Sequence, residues 1–310
     1  MSKRSILTQL ALMAVLAGGM HSVATAAAQR TFVASSGSDA NPCTLVNPCR
    51  SFGYAVGQTL LDGEVIVLDS AGYGPATISQ AVSINAPPGI YAGVSVFSGV
   101  GIAVNAGAGK VTLRGLTINN VQTGTTGIAF NSGAVLYLDN IVVTNFPTAG
   151  LSANVGVNGS LFVTDSTFHD NGTGALLSAA TGTLTVSIDR TLFARNGVGI
   201  DLRDGTAGTK TSKVEVRDCT IADNIGTGVV VGSVVAGPVL VSLVSSLVSG
   251  NVTGIQVTGA ANSAYVSDST ITRNTTALVY VTSGTAVSGT DNRLVNNINP
   301  STFSSSTSKL

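Results

Sequence analysis

Residues 214–231 read VEVRDCTIADNIGTGVVV, and residues 265–281 read YVSDSTITRNTTALVYV. Each stretch holds three short runs of Val, Ile, Thr or Tyr that alternate with period two, the pattern of half-buried strands rather than of a helix. A small residue follows the first run (Cys219, Ser269), and an asparagine follows the second (Asn224, Asn274). The same phrase returns at residues 161–177, 186–202 and 241–257. Working outward, the asparagines form a column: Asn120, Asn145, Asn171, Asn196, Asn224, Asn251 and Asn274, with Asn296 or Asn297 next. Successive members lie 25, 26, 25, 28, 27 and 23 residues apart. A period in the twenties denotes a solenoid. Leucine-rich repeats share the period, but their fixed leucine columns are missing, and helical repeats need longer units with a 3.6-residue pattern.

The repeat implies a parallel β-helix. Three strands joined by bends close one coil, and each strand pairs with its equivalent in the next coil, about 4.8 Å away. Alternate residues point inward. The first strand supplies Leu138, Val163, Ile188, Val216, Leu243 and Val266. The second supplies Ile118, Phe168, Phe193, Ile221, Val248 and Ile271, and the third Ile128, Leu151, Ile200, Val229, Ile255 and Leu278. No single repeat could bury such a core alone.

Asparagine tolerates a left-handed bend, and its amide can bond the asparagines above and below. Glycines soon after it (Gly174, Gly199, Gly228, Gly254) are expected to relax the turn. Asn262, in residues 259–263, lies outside the column and is expected to contribute little. Cys219 shares a column of small residues with Ser166, Thr191, Ser246 and Ser269, so it reads as a buried, space-filling thiol.

Composition bounds the rest. Of 310 residues only 10% are charged, with 37 glycines, no tryptophan and three cysteines. Residues 1–28 carry Lys3 and Arg4, an apolar core over 6–16 and small-x-small sites at 24–26 and 26–28, the pattern of a secretory signal. Its removal takes two of 15 bases and none of the 15 acids, leaving −2. That charge offers no footprint for nucleic acid or an anionic membrane. In a periplasmic or extracellular setting, Cys43 and Cys49 around Pro48 would close a local disulfide. The alternative is a metal site, which two thiolates alone cannot complete. Residues 50–61, with Phe52, Val56, Leu60 and Leu61, read as an amphipathic helix capping the solenoid. The organisation expected is a leader over 1–28, a cap over 29–62, a β-helix over 63–300 and a loose tail over 301–310.

The Asn column, the phrase D-S-T-I/F-x-x-N (residues 165–171 and 268–274) and the opening FVASSGSDANP (residues 32–42) resemble the secreted right-handed parallel β-helix proteins of the pectate-lyase-like superfamily over about residues 30–300. The resemblance implies an all-β, single-stranded right-handed solenoid. It also implies that any ligand lies along the outer side of the first strand, where Tyr137, Phe162, Ser187, Glu215, Ser242 and Tyr265 point outward. Tyr137 and Phe162 on adjacent coils would form a platform for sugar rings, with Glu215 and Arg217 beside them.

The family's enzymes need marks that are missing. There is no N-T-D, G-H-G or R-I-K phrase, and W-x-D-H is impossible without tryptophan. His169, the one histidine beyond the leader, reads as an exposed bend residue. The expectation is a non-catalytic polysaccharide-binding or surface component, with no cofactor or metal. The alternative is a polysaccharide lyase or glycoside hydrolase using Glu215 with Arg217 or Lys213 near Asp189, with Ca²⁺ required only for elimination. These residues belong to a charged stretch that also holds Arg190, Arg195, Asp201, Arg203, Asp204, Lys210 and Asp218. The plain reading of such a stretch is salt-bridged surface. An autotransported adhesin passenger is the third class, disfavoured because no barrel-type segments of about 10 residues with an outward apolar face are found.

Overall fold

The computed structural model describes residues 27–307 apart from 157, 180–181, 204–211 and 233–237. The expected leader therefore falls almost wholly outside the described residues, as do Asp204 and Lys210. Every inter-strand pairing is parallel, and each strand pairs with its equivalent one coil on. Among the described residues the first sheet has 12 strands, from Ala28–Val33 to Ser305–Ser306. Its regular part is Lys110–Arg114, Val135–Asp139, Gly159–Thr164, Leu184–Asp189, Ser212–Arg217, Val239–Val244 and Ser263–Ser267. Short strands such as Thr167–His169, Leu192–Ala194 and Thr220–Ala222 stack as a second side. Strands such as Val198–Leu202, Thr227–Val231 and Thr253–Thr258 stack as a third.

The inward columns are in register. Leu138 pairs with Val163, and the column continues through Ile188, Val216, Leu243 and Val266. All six are at most 1% exposed. On the second side Phe168 and Phe193 stack with centroids 5.2 Å apart. Each fully buried Val, Leu, Ile or Phe contributes about 1.5–3 kcal/mol, so the columns hold the coils together.

Two bends are built the same way: one left-handed residue, then one buried polar residue. At the first bend Asn140, Asp165, Arg190, Asp218, Ser245 and Asp268 have φ between 47° and 54°. The next residue makes a hydroxyl ladder. Ser166 Oγ accepts from Ile141 N (3.1 Å), Thr191 Oγ1 from Ser166 N (3.4 Å), Ser246 Oγ from Cys219 N (3.2 Å) and Ser269 Oγ from Ser246 N (3.1 Å). Cys219 occupies this ladder, 2% exposed, with burial pushing its thiol up to about 11.

The second bend corrects the expected Asn column. Left-handed backbone belongs to Asn145, Asp170, Arg195, Asp223, Gly250, Arg273 and Asn296. The buried ladder is the following residue: Asn171, Asn196, Asn224, Asn251 and Asn274, closed by Asn297. From Asn196 onward each side-chain oxygen accepts from the backbone N–H and the amide of the asparagine one coil earlier. Asn145 is exposed at the left-handed position, and buried Phe146 holds the ladder position, its N–H donating to Asn171 Oδ1 (3.0 Å). Asn120 lies within the strand Leu116–Ser132, outside the ladder, its oxygen accepting from Gly124 N (2.8 Å) and its amide donating to Asn145 O (3.0 Å).

The glycines are there for space, not for turning. None of Gly174, Gly199, Gly228 and Gly254 has positive φ, but a Cβ on each would lie 2.5–2.7 Å from a carbonyl oxygen of the next coil and 3.0–3.1 Å from its ladder amide. Asn262 is also corrected. It is 1% exposed, accepts from Val239 N (2.8 Å) and donates to Thr258 O (2.5 Å), fastening a third turn.

The capping helix is Phe52–Gln58, shorter than expected. Ser51 caps it, accepting from Tyr54 N, and Phe52, Ala55 and Val56 are buried. It ends because Thr59 turns the chain into the strand Thr59–Val67, its hydroxyl meeting Ala55 O and Thr31 Oγ1. Leu60 and Leu61 are left exposed. Cys43 and Cys49 form a disulfide that closes the cap loop, backbone hydrogen bonds from both cysteines to Phe32 tie that loop to the first strand, and Cys219 is free. At the other end the expectation of a loose tail from 301 is corrected, since Phe303 packs on the core and Ser305–Ser306 pairs with the strand Thr285–Ser288.

Candidate functional site

Outward residues of the first sheet fall in rows, because register places equivalent residues of successive coils side by side. The central row is Tyr137, Phe162, Ser187, Glu215, Ser242 and Tyr265. Two residues earlier on each strand lies the row Thr185, Lys213, Leu240 and Ser263. Ser187 and Ser242 are small while Phe162 and Tyr265 are large, so the sheet surface sinks between the two rings. The result is a groove of about 640 Å³ lined by these rows from Phe162 to Tyr265.

The expected platform is a different object. Tyr137 and Phe162 stack on each other, centroids 4.9 Å apart and planes 14° from parallel. One face of each ring is therefore taken up by the other. Phe162 turns its second face toward Ser187, too small to cover it, and lines the groove; Tyr137 backs it. Leu240, 43% exposed, Thr185 and Ser263 also line the groove and were not expected. Their signal in the sequence was parity: they share the outward phase, two residues before the central row.

The charged stretch does not converge. Arg217 Nη2 donates to Glu215 Oε1 (2.5 Å), and Lys213 lines the groove beside them. Asp189 lies one coil earlier in the row of Arg217, with Arg190 on one of its oxygens. Its other oxygen is buried and has no hydrogen-bond partner among the described residues. Arg190 also grips Asp165 with two bonds of 2.8 and 2.9 Å, and Arg195 grips Asp170 with two of 2.9 Å. These guanidinium bonds hold both aspartates below the usual carboxylate range. Asp201 sits on the third side, where burial raises its pKa against the pull of Arg203. His169 lies on the second side with Asp170 (2.5 Å), Thr144 (3.2 Å) and Arg195 (3.3 Å), away from the groove. Among the described residues no three His, Cys, Asp or Glu side chains are placed to share a metal ion.

Parallel coils with short strands, a buried asparagine ladder and a capped end define a right-handed parallel β-helix. The sequence model described as "Right handed beta helix region" matches residues 100–271, and the chain belongs to that family. Among solved structures it is similar to pectate lyase Pel9A, with a TM-score of 0.50 and 14% identity over 84% of this chain and 67% of that one. A GH136 lacto-N-biosidase from Eubacterium ramulus matches with a TM-score of 0.40 and 11% identity over 94% of this chain and 70% of that one. No curated protein sequence matches. The first likeness bears on the fold alone.

Proposed function

We propose that this is an exported, non-catalytic β-helix protein that holds an extracellular or cell-wall polysaccharide in the groove of its first sheet, as a binding or surface component. The groove itself carries the reading. It offers aromatic faces for the apolar side of sugar rings and Ser and Thr hydroxyls for their hydroxyl groups. The chemistry of catalysis is less well served, because Glu215 is engaged by Arg217 and Asp189 by Arg190. Export is supported by the sequence of the leader and by the Cys43–Cys49 disulfide. Among the described residues no helix is long and apolar enough to cross a membrane. The test is a polysaccharide array combined with assays for new reducing ends and for unsaturated-sugar absorbance, with Ca²⁺ supplied. Binding without turnover is expected, and no binding to any polysaccharide would overturn the reading.

One observation favours glycoside hydrolysis as the second reading. Asp189 is the diagonal neighbour of Glu215, and strand geometry sets their backbones about 8 Å apart. Inverting hydrolases hold their two carboxyl groups about 6.5–9.5 Å apart, a spacing that side chains rooted at these positions can span. Turnover abolished by both Glu215→Gln and Asp189→Asn would establish it.

A further inference from the structure

The groove's charges bear on which polysaccharide it takes, an inference that rests on the binding function proposed above. Lys213 and Glu215 are the only charged residues among the described ones lining the groove. They point out of the same strand, two residues apart, and the charges balance only when the residues behind them are counted too: Lys213, Arg217 and Arg190 against Glu215, Asp189 and Asp165, and Arg114 against Asp139. A polyuronate would bring one carboxylate per ring into a groove with a single lysine, and most of those charges would meet serine, leucine or Glu215. A neutral chain would meet no such cost. Phe162 and Tyr265 lie four coils apart in the central row, about 19 Å at about 4.8 Å per coil. One ring is backed by Tyr137 and the other is followed in its row by Val287, with Ser187, Glu215 and Ser242 between them.

We infer that the groove binds a neutral oligosaccharide segment lying parallel to the solenoid axis. The sugar rings stack on Phe162 at one end and Tyr265 at the other, and the serine rungs and Glu215 take the hydroxyl groups between. The single acid suits this role, since a carboxylate is a strong acceptor for sugar hydroxyls.

The experiment is calorimetric titration of the full chain, without its leader, with cello-, manno-, xylo- and laminarihexaose and with hexagalacturonate, the last with and without Ca²⁺. At least one neutral hexasaccharide should bind tenfold or more tighter than hexagalacturonate. Its affinity should change less than about twofold between low and high salt, where binding of a polyanion by exposed charges would weaken steeply. Phe162→Ala and Tyr265→Ala should each lower hexasaccharide affinity about tenfold, the scale of one lost aromatic contact. For the corresponding disaccharide, too short to reach both rings, the two losses should not occur together. Melting curves on both variants separate this effect from misfolding, and Phe162→Tyr should retain binding. Tighter, salt-sensitive binding of hexagalacturonate would overturn the neutral assignment and leave polysaccharide binding standing. No binding of any member would overturn both.

Discussion

Replacing Asn224 by Leu removes one rung of the buried ladder. Asn224 is 2% exposed. Its Oδ1 accepts from Asn196 N (2.9 Å) and Asn196 Nδ2 (3.1 Å), while its Nδ2 donates to Asn251 Oδ1 (2.9 Å) and Phe193 O (3.3 Å). Leucine leaves the Asn196 backbone N–H without that acceptor. The Asn196 amide loses one of its two bonds and keeps the one to Phe168 O. The one buried group so stranded costs about 1–3 kcal/mol, and the two ladder amide bonds lost with it, to Asn196 and Asn251, about 0.5–1.5 kcal/mol each, so the loss is about 2–6 kcal/mol. That is a large share of a domain's typical stability of about 5–15 kcal/mol. Backbone strain adds nothing, because the left-handed residue here is Asp223, with φ 56°, and not Asn224. The assay is a pair of urea or thermal melts followed by circular dichroism. The comparison is Asn131→Leu, whose exposed amide bonds Asn105 on the surface. Equal, small shifts in the two variants would refute the claim that the ladder holds the coils in register.

Gly199→Ala should destabilise strongly, since the new Cβ would lie 2.5 Å from Gly228 O, whereas Gly57→Ala, with nothing within 4 Å, should be neutral or slightly stabilising; melting temperatures decide. Asp165 and Asp170 have folded pKa values lowered by Arg190 and by Arg195. Their contribution is therefore present above the unfolded value of about 3.9 and lost as pH falls through the lowered one. The stability gap between the parent and Asp165→Asn/Asp170→Asn should be open at neutral pH and closed near about pH 2. It should also be small, because both pairs are solvent-exposed. Cys219 should resist thiol reagents at neutral pH in the folded protein, its pKa being raised to about 11 by burial, and should give one equivalent per chain on unfolding without reductant. Two or more reactive thiols under those conditions would refute the Cys43–Cys49 pairing.

The strand columns were legible because period-two alternation maps directly onto a coil that repeats in register. The asparagine column was legible only in part. Asparagine suits both the left-handed position and the buried one beside it, so residue type alone could not tell Asn145 from Asn171. The neighbouring positions carry the distinction: Asp170, Arg195, Asp223 and Arg273 precede ladder asparagines, and Asn145 aligns with them, not with the ladder. The glycines were assigned to turning because a sequence does not display how closely two coils approach. At the helix, Leu60 and Leu61 extended the apolar pattern, but pairing of Thr59–Val67 with the first strand overrode it. The groove was half legible. Its central row followed from parity, but its depth comes from two serines lying between aromatic residues on coils far apart in sequence. The stacking of Tyr137 on Phe162 likewise depends on side-chain direction, which alternation does not specify.

A co-crystal structure with the tightest-binding hexasaccharide tests binding in the groove most directly. The expected density is a sugar chain parallel to the solenoid axis, with one ring against Phe162, another against Tyr265 and hydroxyl groups bonded to Ser187, Glu215 or Ser242. Density on the second or third side, or a chain crossing the first sheet along its strands, would contradict it.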